Sequence, residues 1–167
     1  MVGLYWGRFN PPHKGHLQLI KKILKEVDKL IIAIGSAEFK NTNRNPFNGI
    51  ERKKMIEAYL KEEKIDMRKV NVVAVNDGKS FSSAVKNIFE RCGNFDVLYT
   101  DKKVIIELIK NKVKVKKIKR TGTISSTKIR DSIANNGNWK HLTGKSVAKL
   151  IKKFNGIYRI KKTYESY

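Results

Sequence analysis

The chain has 167 residues, 40% of them hydrophobic, and carries 37 Lys and Arg against 15 Asp and Glu, a formal net charge of +22. That length suits one domain spanning 1–167 around one substantial core, and no apolar run approaches the ~20 residues a membrane helix needs, which excludes a membrane partner. A single cysteine, Cys92, excludes an internal disulfide and, with no signal-peptide layout, predicts a reducing, cytoplasmic setting. The charge balance predicts anionic partners such as nucleotides, nucleic acid or acidic surfaces. Lysines are dispersed among apolar residues, as in "KKILKEVDK" and "KNKVKVKKIKR", so solvated faces explain most of them and no specific nucleic-acid site is expected.

In chain order, "VGLYW" reads as a short buried strand. "HLQLIKKILKEV" reads as a helix with Leu17, Ile20, Leu24 and Val27 on one face. "KLIIAIG" is continuously apolar, as a strand covered on both faces would be. After the aperiodic "SAEFKNTNRNPFNG", a helix is expected from about Ile50 to Glu62, with Asn48 and Glu51 spaced as a capping box. "VNVVAV" and "FDVLYT" read as strands, "FSSAVKNIFERC" and "KVIIELIKNK" as helices, and Cys92 as a core or helix-end residue. "VKVKKI" alternates apolar and cationic residues, the pattern of a half-exposed edge strand. Helices are then expected over 127–135 and 146–154. Repeated βα units predict an α/β fold, a Rossmann-like doubly wound parallel sheet with C-terminal helices. In such sheets ligands sit beyond the carboxyl ends of the strands.

The turn "GRFNPPHKGH" lies at that edge. His13 and His16 straddle a helix start, where backbone N–H groups and the helix dipole attract phosphate. Gly7 and Gly15 permit close backbone approach, Pro11 and Pro12 stiffen the turn, and Arg8 adds a planar multi-donor group. Zinc is the competing reading, but the segment holds no cysteine, carboxylate or third histidine, so no protein metal site is expected. A second constellation, "TISSTKIRD", opens a helix with Ser125, Ser126 and Thr127, followed by Lys128 and Arg130. Cations at two helix starts, Lys14 included, make sense if an anion lies between them.

These residues resemble the nucleotidyltransferases with a G-R-F-x-P-x-H-x-G-H signature and a later S-x-T-x-I-R. Within them, the chain is most similar to the archaeal-type nicotinamide-nucleotide adenylyltransferases, through "GRFNPPHKGHL", "IIAIGSAEF", "RNPFNGIERKKMI", "VNDG", "SSTKIR", "NWKHL" and "NGIYRIK" in that order. The resemblance implies a nucleotidyltransferase fold and transfer of an adenylyl group from ATP to nicotinamide mononucleotide, with Mg²⁺ carried mainly by ATP. It implies catalytic roles for His13, His16 and Arg44. ATP would be held by Gly7, Arg8, Phe9, Asn10, Gly15, Ser125, Ser126, Thr127 and Arg130, and the acceptor by Ser36, Asp77 and Phe81. A homo-oligomer is also implied. Two stretches depart from the family's pattern. Phe81 and Ala84 stand where relatives carry Asn and Trp, so Phe81 either stacks on the pyridine ring or packs in the core. Asp101-Lys102 replaces Gly-Asn. Another phosphorylated acceptor, or CTP, remains an alternative within the same superfamily.

Overall fold

The computed structural model describes residues 1–119 and 122–166. Arg120, the last residue of the basic stretch, lies outside them.

Five parallel strands form one sheet: β1 (Val2–Gly7), β2 (Lys29–Ile34), β3 (Val70–Ala74), β4 (Val97–Thr100) and β5 (Lys114–Lys117), in the order β3-β2-β1-β4-β5. The connecting helices are α1 (Lys14–Ile23), α2 (Gly49–Glu62), α3 (Phe81–Cys92) and α4 (Lys103–Ile109). Three more follow the sheet: α5 (Ser126–Ala134), α6 (Lys145–Lys153) and α7 (Gly156–Glu165). The doubly wound α/β fold expected from the βα repeats is the fold observed.

Alternation along the strands feeds two cores. Leu4 and Trp6 of β1 join Ile31, Ala33 and Leu98 under α3 and α4, which contribute Ala84, Val85, Ile88, Ile105 and Ile109. Tyr5 faces the other way, with Ile32, Ile34, Val97 and Tyr99, under α1, α2 and the C-terminal helices. Burial on both faces is why β2 reads as an unbroken apolar run. The alternating "VKVKKI" forms the edge strand β5.

Asn48 caps α2, and Glu51 bonds back to the Asn48 amide, as the spacing predicted. Helix α1 stops at Ile23, short of Val27, because Asp28 N and Lys29 N must reach the Met1 carbonyl to align β2 beside β1. Cys92 ends α3 half-buried, and burial pushes its thiol up to about 11. The chain continues past Phe154 into α7, which the expected helices omitted. Asn155, in the left-handed region at φ 55°, makes the break between α6 and α7.

The sheet order reverses between β1 and β4. That switch point opens a crevice at the carboxyl ends of both strands.

Candidate active site

The crevice is floored by the turn from β1 to α1. His13 is the N-cap of α1, and its Nδ1 accepts from Gly15 N at 3.1 Å. His16 Nδ1 in turn accepts from His13 N at 3.2 Å. The two imidazoles thus form a reciprocal capping box, the role usually taken by Ser and Glu. Their rings lie 3.7 Å apart, and His16 rests on Phe9 at 4.7 Å. Because both Nδ1 atoms accept, the proton of each neutral ring sits on Nε2. The sequence suggested unpaired amides here; instead the histidines occupy two of them. A Cβ on Gly15 would lie 3.0 Å from the His13 ring, so glycine keeps that imidazole in place.

The carbonyls of the turn are engaged from elsewhere in the chain. Arg8 O accepts from Arg52 Nη1 (2.7 Å) and Asn10 O from Arg130 Nη1 (2.9 Å). Pro11 O accepts from Ser126 Oγ (2.8 Å) and Pro12 O from Thr143 Oγ1 (2.8 Å). With those four oxygens tied to protein donors, the turn's acceptors do not confront an anion in the crevice. The Asn10 side chain is likewise committed, bonding Phe47 N, Phe47 O and Asn45 Oδ1.

Above this floor lies a cleft of about 140 Å³. It brings together Gly7, Arg8, Phe9, Asn10, His13, His16, Arg44, Ser125, Ser126, Thr127 and Arg130, all predicted from sequence, beside Trp6, Asp101 and Lys102. Four cationic side chains line it against one carboxylate, so it is built for an anion. Arg130 is 5% exposed, and burial, reinforced by the Arg44 charge, lowers its pKa. Arg130 Nε is the only buried side-chain donor among the described residues without a partner. Arg130 lines the cleft as a residue and brings its charge there, while its Nε–H is itself enclosed within the protein. Ser125 caps α5 through Lys128 N, and Thr127 Oγ1 accepts from Arg130 Nη2 at 3.2 Å. Those hydroxyls therefore shape the α5 start, whose open end faces the cleft. Gly15, which borders the His13 ring, also lines an adjoining pocket of about 110 Å³ that shares Tyr5, His13 and His16 with the cleft.

Ser36, Asp77 and Phe81, which the resemblance assigns to the acceptor, fall outside the cleft lining. Ser36, at φ 53°, donates through N (2.7 Å) and Oγ (2.5 Å) to Asp77, so the two residues hold each other. Asp77 N and Gly78 N donate in turn to the Glu38 carboxylate. Phe81 begins α3 and is 56% exposed rather than packed in the core. Between this group and the phosphate turn sits Arg52, which sequence reasoning missed. It is fully buried and donates to Asn48 O, Arg8 O, Gly35 O and Ser36 O at 2.7–3.1 Å, with burial holding it down at about 10. Its signal was present: position 52 heads the stripe Met55, Ile56, Tyr59, all buried. Among the described residues, no three His, Cys, Asp or Glu side chains cluster to hold a metal ion. No helix among them is long and apolar enough to cross a membrane.

The cytidylyltransferase-like family profile matches residues 4–132. The nicotinamide-nucleotide adenylyltransferase of Pyrobaculum arsenaticum is 35% identical over 163 residues, 95% of this chain and 92% of that protein. The protein of the same name from Thermococcus sibiricus is 35% identical over 164 residues, 96% of this chain and 88% of that protein. The chain belongs to the nicotinamide-nucleotide adenylyltransferase family. It is thus a nucleotidyltransferase, and residues from its GRFNPPHKGH and SSTKIR segments line the anion cleft. The fold agrees with solved relatives. A bifunctional NMN adenylyltransferase/ADP-ribose pyrophosphatase from Francisella tularensis superimposes with a TM-score of 0.79 at 23% identity, over 97% of this chain and 51% of that one. A solved structure from Vibrio parahaemolyticus gives 0.66 at 18% identity, over 90% of this chain and 97% of that one.

Proposed function

We propose that this protein transfers the adenylyl group of ATP to the 5′-phosphate of nicotinamide mononucleotide, giving NAD⁺ and pyrophosphate, as one catalytic domain spanning 1–167. The observation that carries this reading is the cleft at the paired histidines, where Arg8, Arg44, Lys102 and Arg130 stand against one carboxylate, Asp101. A phosphate oxygen of the acceptor attacks the α-phosphorus, the bond to the bridging oxygen breaks, and pyrophosphate departs with the electron pair. The acceptor phosphate is already a nucleophile, so no covalent enzyme intermediate is needed.

The protein's part is to align two anions and to offset charge on the departing pyrophosphate. His13 and His16 present Nε2–H donors whose orientation the capping box fixes. Arg8, Arg44 and Arg130, with the start of α5, hold the triphosphate. The adjoining pocket beside Tyr5 and Gly15 has the aromatic and backbone walls that suit a nucleobase. Ser36, Asp77 and Phe81, displaced along the strand ends, serve the nicotinamide side.

Mg²⁺ enters as part of the substrate, bound to ATP, where it neutralises phosphate charge. A cleft with four cations and one carboxylate fits an ion held by phosphate oxygens rather than by a protein cage. The chain's one cysteine, Cys92, can form no internal disulfide, in keeping with the cytoplasmic setting proposed here. Exposed Phe39, Ile50 and Tyr158 offer apolar contact for a homo-oligomer.

Incubation with ATP, Mg²⁺ and a panel of phosphorylated acceptors, read by pyrophosphate release, tests the assignment. Nicotinamide mononucleotide should turn over with ATP and not with CTP. An inert nicotinamide mononucleotide beside another active acceptor would overturn it.

A further inference from the structure

Arg44 sits in a short turn that reaches the cleft from outside the sheet. Thr42 and Asn45 close the turn: Thr42 N donates to Asn45 O at 3.2 Å, and Asn45 N to Thr42 Oγ1 at 3.0 Å. One flank is fastened to the phosphate turn, where Asn10 Nδ2 donates to Asn45 Oδ1 at 3.3 Å.

Asn41 N donates to Pro46 O at 3.3 Å at the base of the segment, and a single side chain from α7 binds the same two residues. Arg159 donates through Nε to Asn41 Oδ1 (2.8 Å) and through Nη2 to Pro46 O (2.5 Å). Those two acceptors are the two ends of the segment that carries Arg44. The same guanidinium forms a two-pronged ion pair with Glu51, at 2.7 and 3.0 Å, and donates to Phe154 O at 3.2 Å. Its centre lies 5.2 Å over the Phe47 ring. The Arg159 and Glu51 side chains are only 17% and 20% exposed, so the fork is fixed rather than solvated. Docking α7 requires little of this, since Ile160 is already fully buried in the core. The bonds to Asn41 and Pro46 join α7 to the 41–46 segment and restrain the turn.

We propose that Arg159 is a positioning residue for Arg44: from α7 it clamps both ends of the 41–46 segment and so keeps the Arg44 guanidinium over the phosphate cleft. The proposal rests on the cleft being the triphosphate site. Arg44 is itself exposed, with a long side chain, so its aim depends on how firmly its backbone is held. Without the clamp, the segment keeps its internal bonds, Asn41 N to Pro46 O among them, and the Asn10 bonds to Asn45 and Phe47 that tie one side of it to the turn after β1. A displacement of about 1 Å in a phosphate-binding group is enough to lower rates by up to about 10². Lysine at 159 would not replace the clamp, because its one ammonium cannot reach acceptors in a planar fork.

A double-mutant cycle tests this, with kcat/KM for ATP and the Kd of MgATP by calorimetry in the wild type, Arg159→Met, Arg44→Ala and the double variant. Arg159→Met should weaken both about tenfold, and in the Arg44→Ala background the same change should alter neither by more than about twofold. Equal losses in both backgrounds, or no loss in the wild-type background, would overturn the proposal. If Arg159→Met does not fold, Asn41→Gly decides. Asn41 sits at φ 54°, which glycine adopts without strain, so the substitution removes only the Oδ1 acceptor. A loss of about threefold that disappears without Arg44 is expected, and undiminished kcat/KM refutes the clamp. MgATP binding reads the cleft whatever the acceptor. Binding with an inert nicotinamide mononucleotide therefore removes the acceptor assignment and leaves the cycle to judge the clamp, whereas failure of the wild type to bind MgATP removes both.

Discussion

Ser126 Oγ donates to the Pro11 carbonyl at 2.8 Å, across 115 positions of sequence, and so ties the start of α5 to the turn that starts α1. Two helix N-termini with cationic residues in their first turns would repel one another if left unfastened. The bond holds them on opposite walls of one cleft. Ser126→Ala is expected to leave Pro11 O without its donor, lowering stability by about 1–2 kcal/mol and reducing affinity for MgATP. Thermal denaturation with calorimetric titration checks both; an unchanged affinity would show that the bond is structural only.

His16→Ala removes the acceptor for His13 N and a proposed phosphate donor together. The capping loss should cost about 1 kcal/mol, which leaves the protein folded. Turnover should fall at least about 100-fold, since charge stabilisation at the reacting phosphate is lost. A folded variant with near wild-type kcat would remove His16 from the chemistry.

Arg44→Lys keeps the charge and loses the fork. Arg44 is exposed, so the melting temperature should not move, while kcat/KM for ATP should drop about tenfold. Equal activity would reduce Arg44 to an ordinary loop residue.

Arg52→Met should be the most damaging of these changes to the fold. It strips the donors from Arg8 O, Gly35 O and Ser36 O, all three buried or part-buried at that contact, which should cost about 3 kcal/mol or more in chemical denaturation. A loss below about 1 kcal/mol would mean that water takes over the carbonyls and that the fold does not depend on Arg52.

Glu62 of α2 caps α6 from outside, accepting from Lys145 N (3.0 Å), Ser146 N (2.9 Å) and Ser146 Oγ (2.5 Å). Burial pulls its pKa upward, but the Ser146 and Lys145 bonds outweigh it and leave it below the ordinary 4.5. A carboxyl with a depressed folded pKa stabilises the protein above its unfolded pKa, and that stability disappears as pH falls through the folded value. Stability should therefore decline below pH 4.5 with a slope that Glu62→Gln makes shallower. Superimposable acid unfolding curves would show that this cap does not contribute.

The sequence made the phosphate side legible because its requirements are local. The paired histidines, the glycines and the hydroxyl-rich α5 start sit in two short segments whose spacing alone implies a helix entry. What it concealed depends on long-range partners. Arg52 reads as one more surface cation in a lysine-rich helix, although its place on the stripe with Met55, Ile56 and Tyr59 marks a buried position. Arg159 gave less signal, since its acceptors, Asn41, Pro46 and Glu51, lie more than 100 residues upstream. Helix α7 was passed over because Asn155 and Gly156 look like a terminus, yet Ile157, Ile160 and Tyr164 keep a helical spacing beyond them. The acceptor side was least legible, because Phe81 departs from the family's pattern and stands exposed at the head of α3.

The most direct test is a crystal structure of the protein with MgATP. The triphosphate should lie between the imidazole Nε2 atoms of His13 and His16 and the start of α5, with its oxygens against the guanidinium groups of Arg8, Arg44 and Arg130. A well-ordered nucleotide bound elsewhere, with this cleft empty, would contradict its assignment.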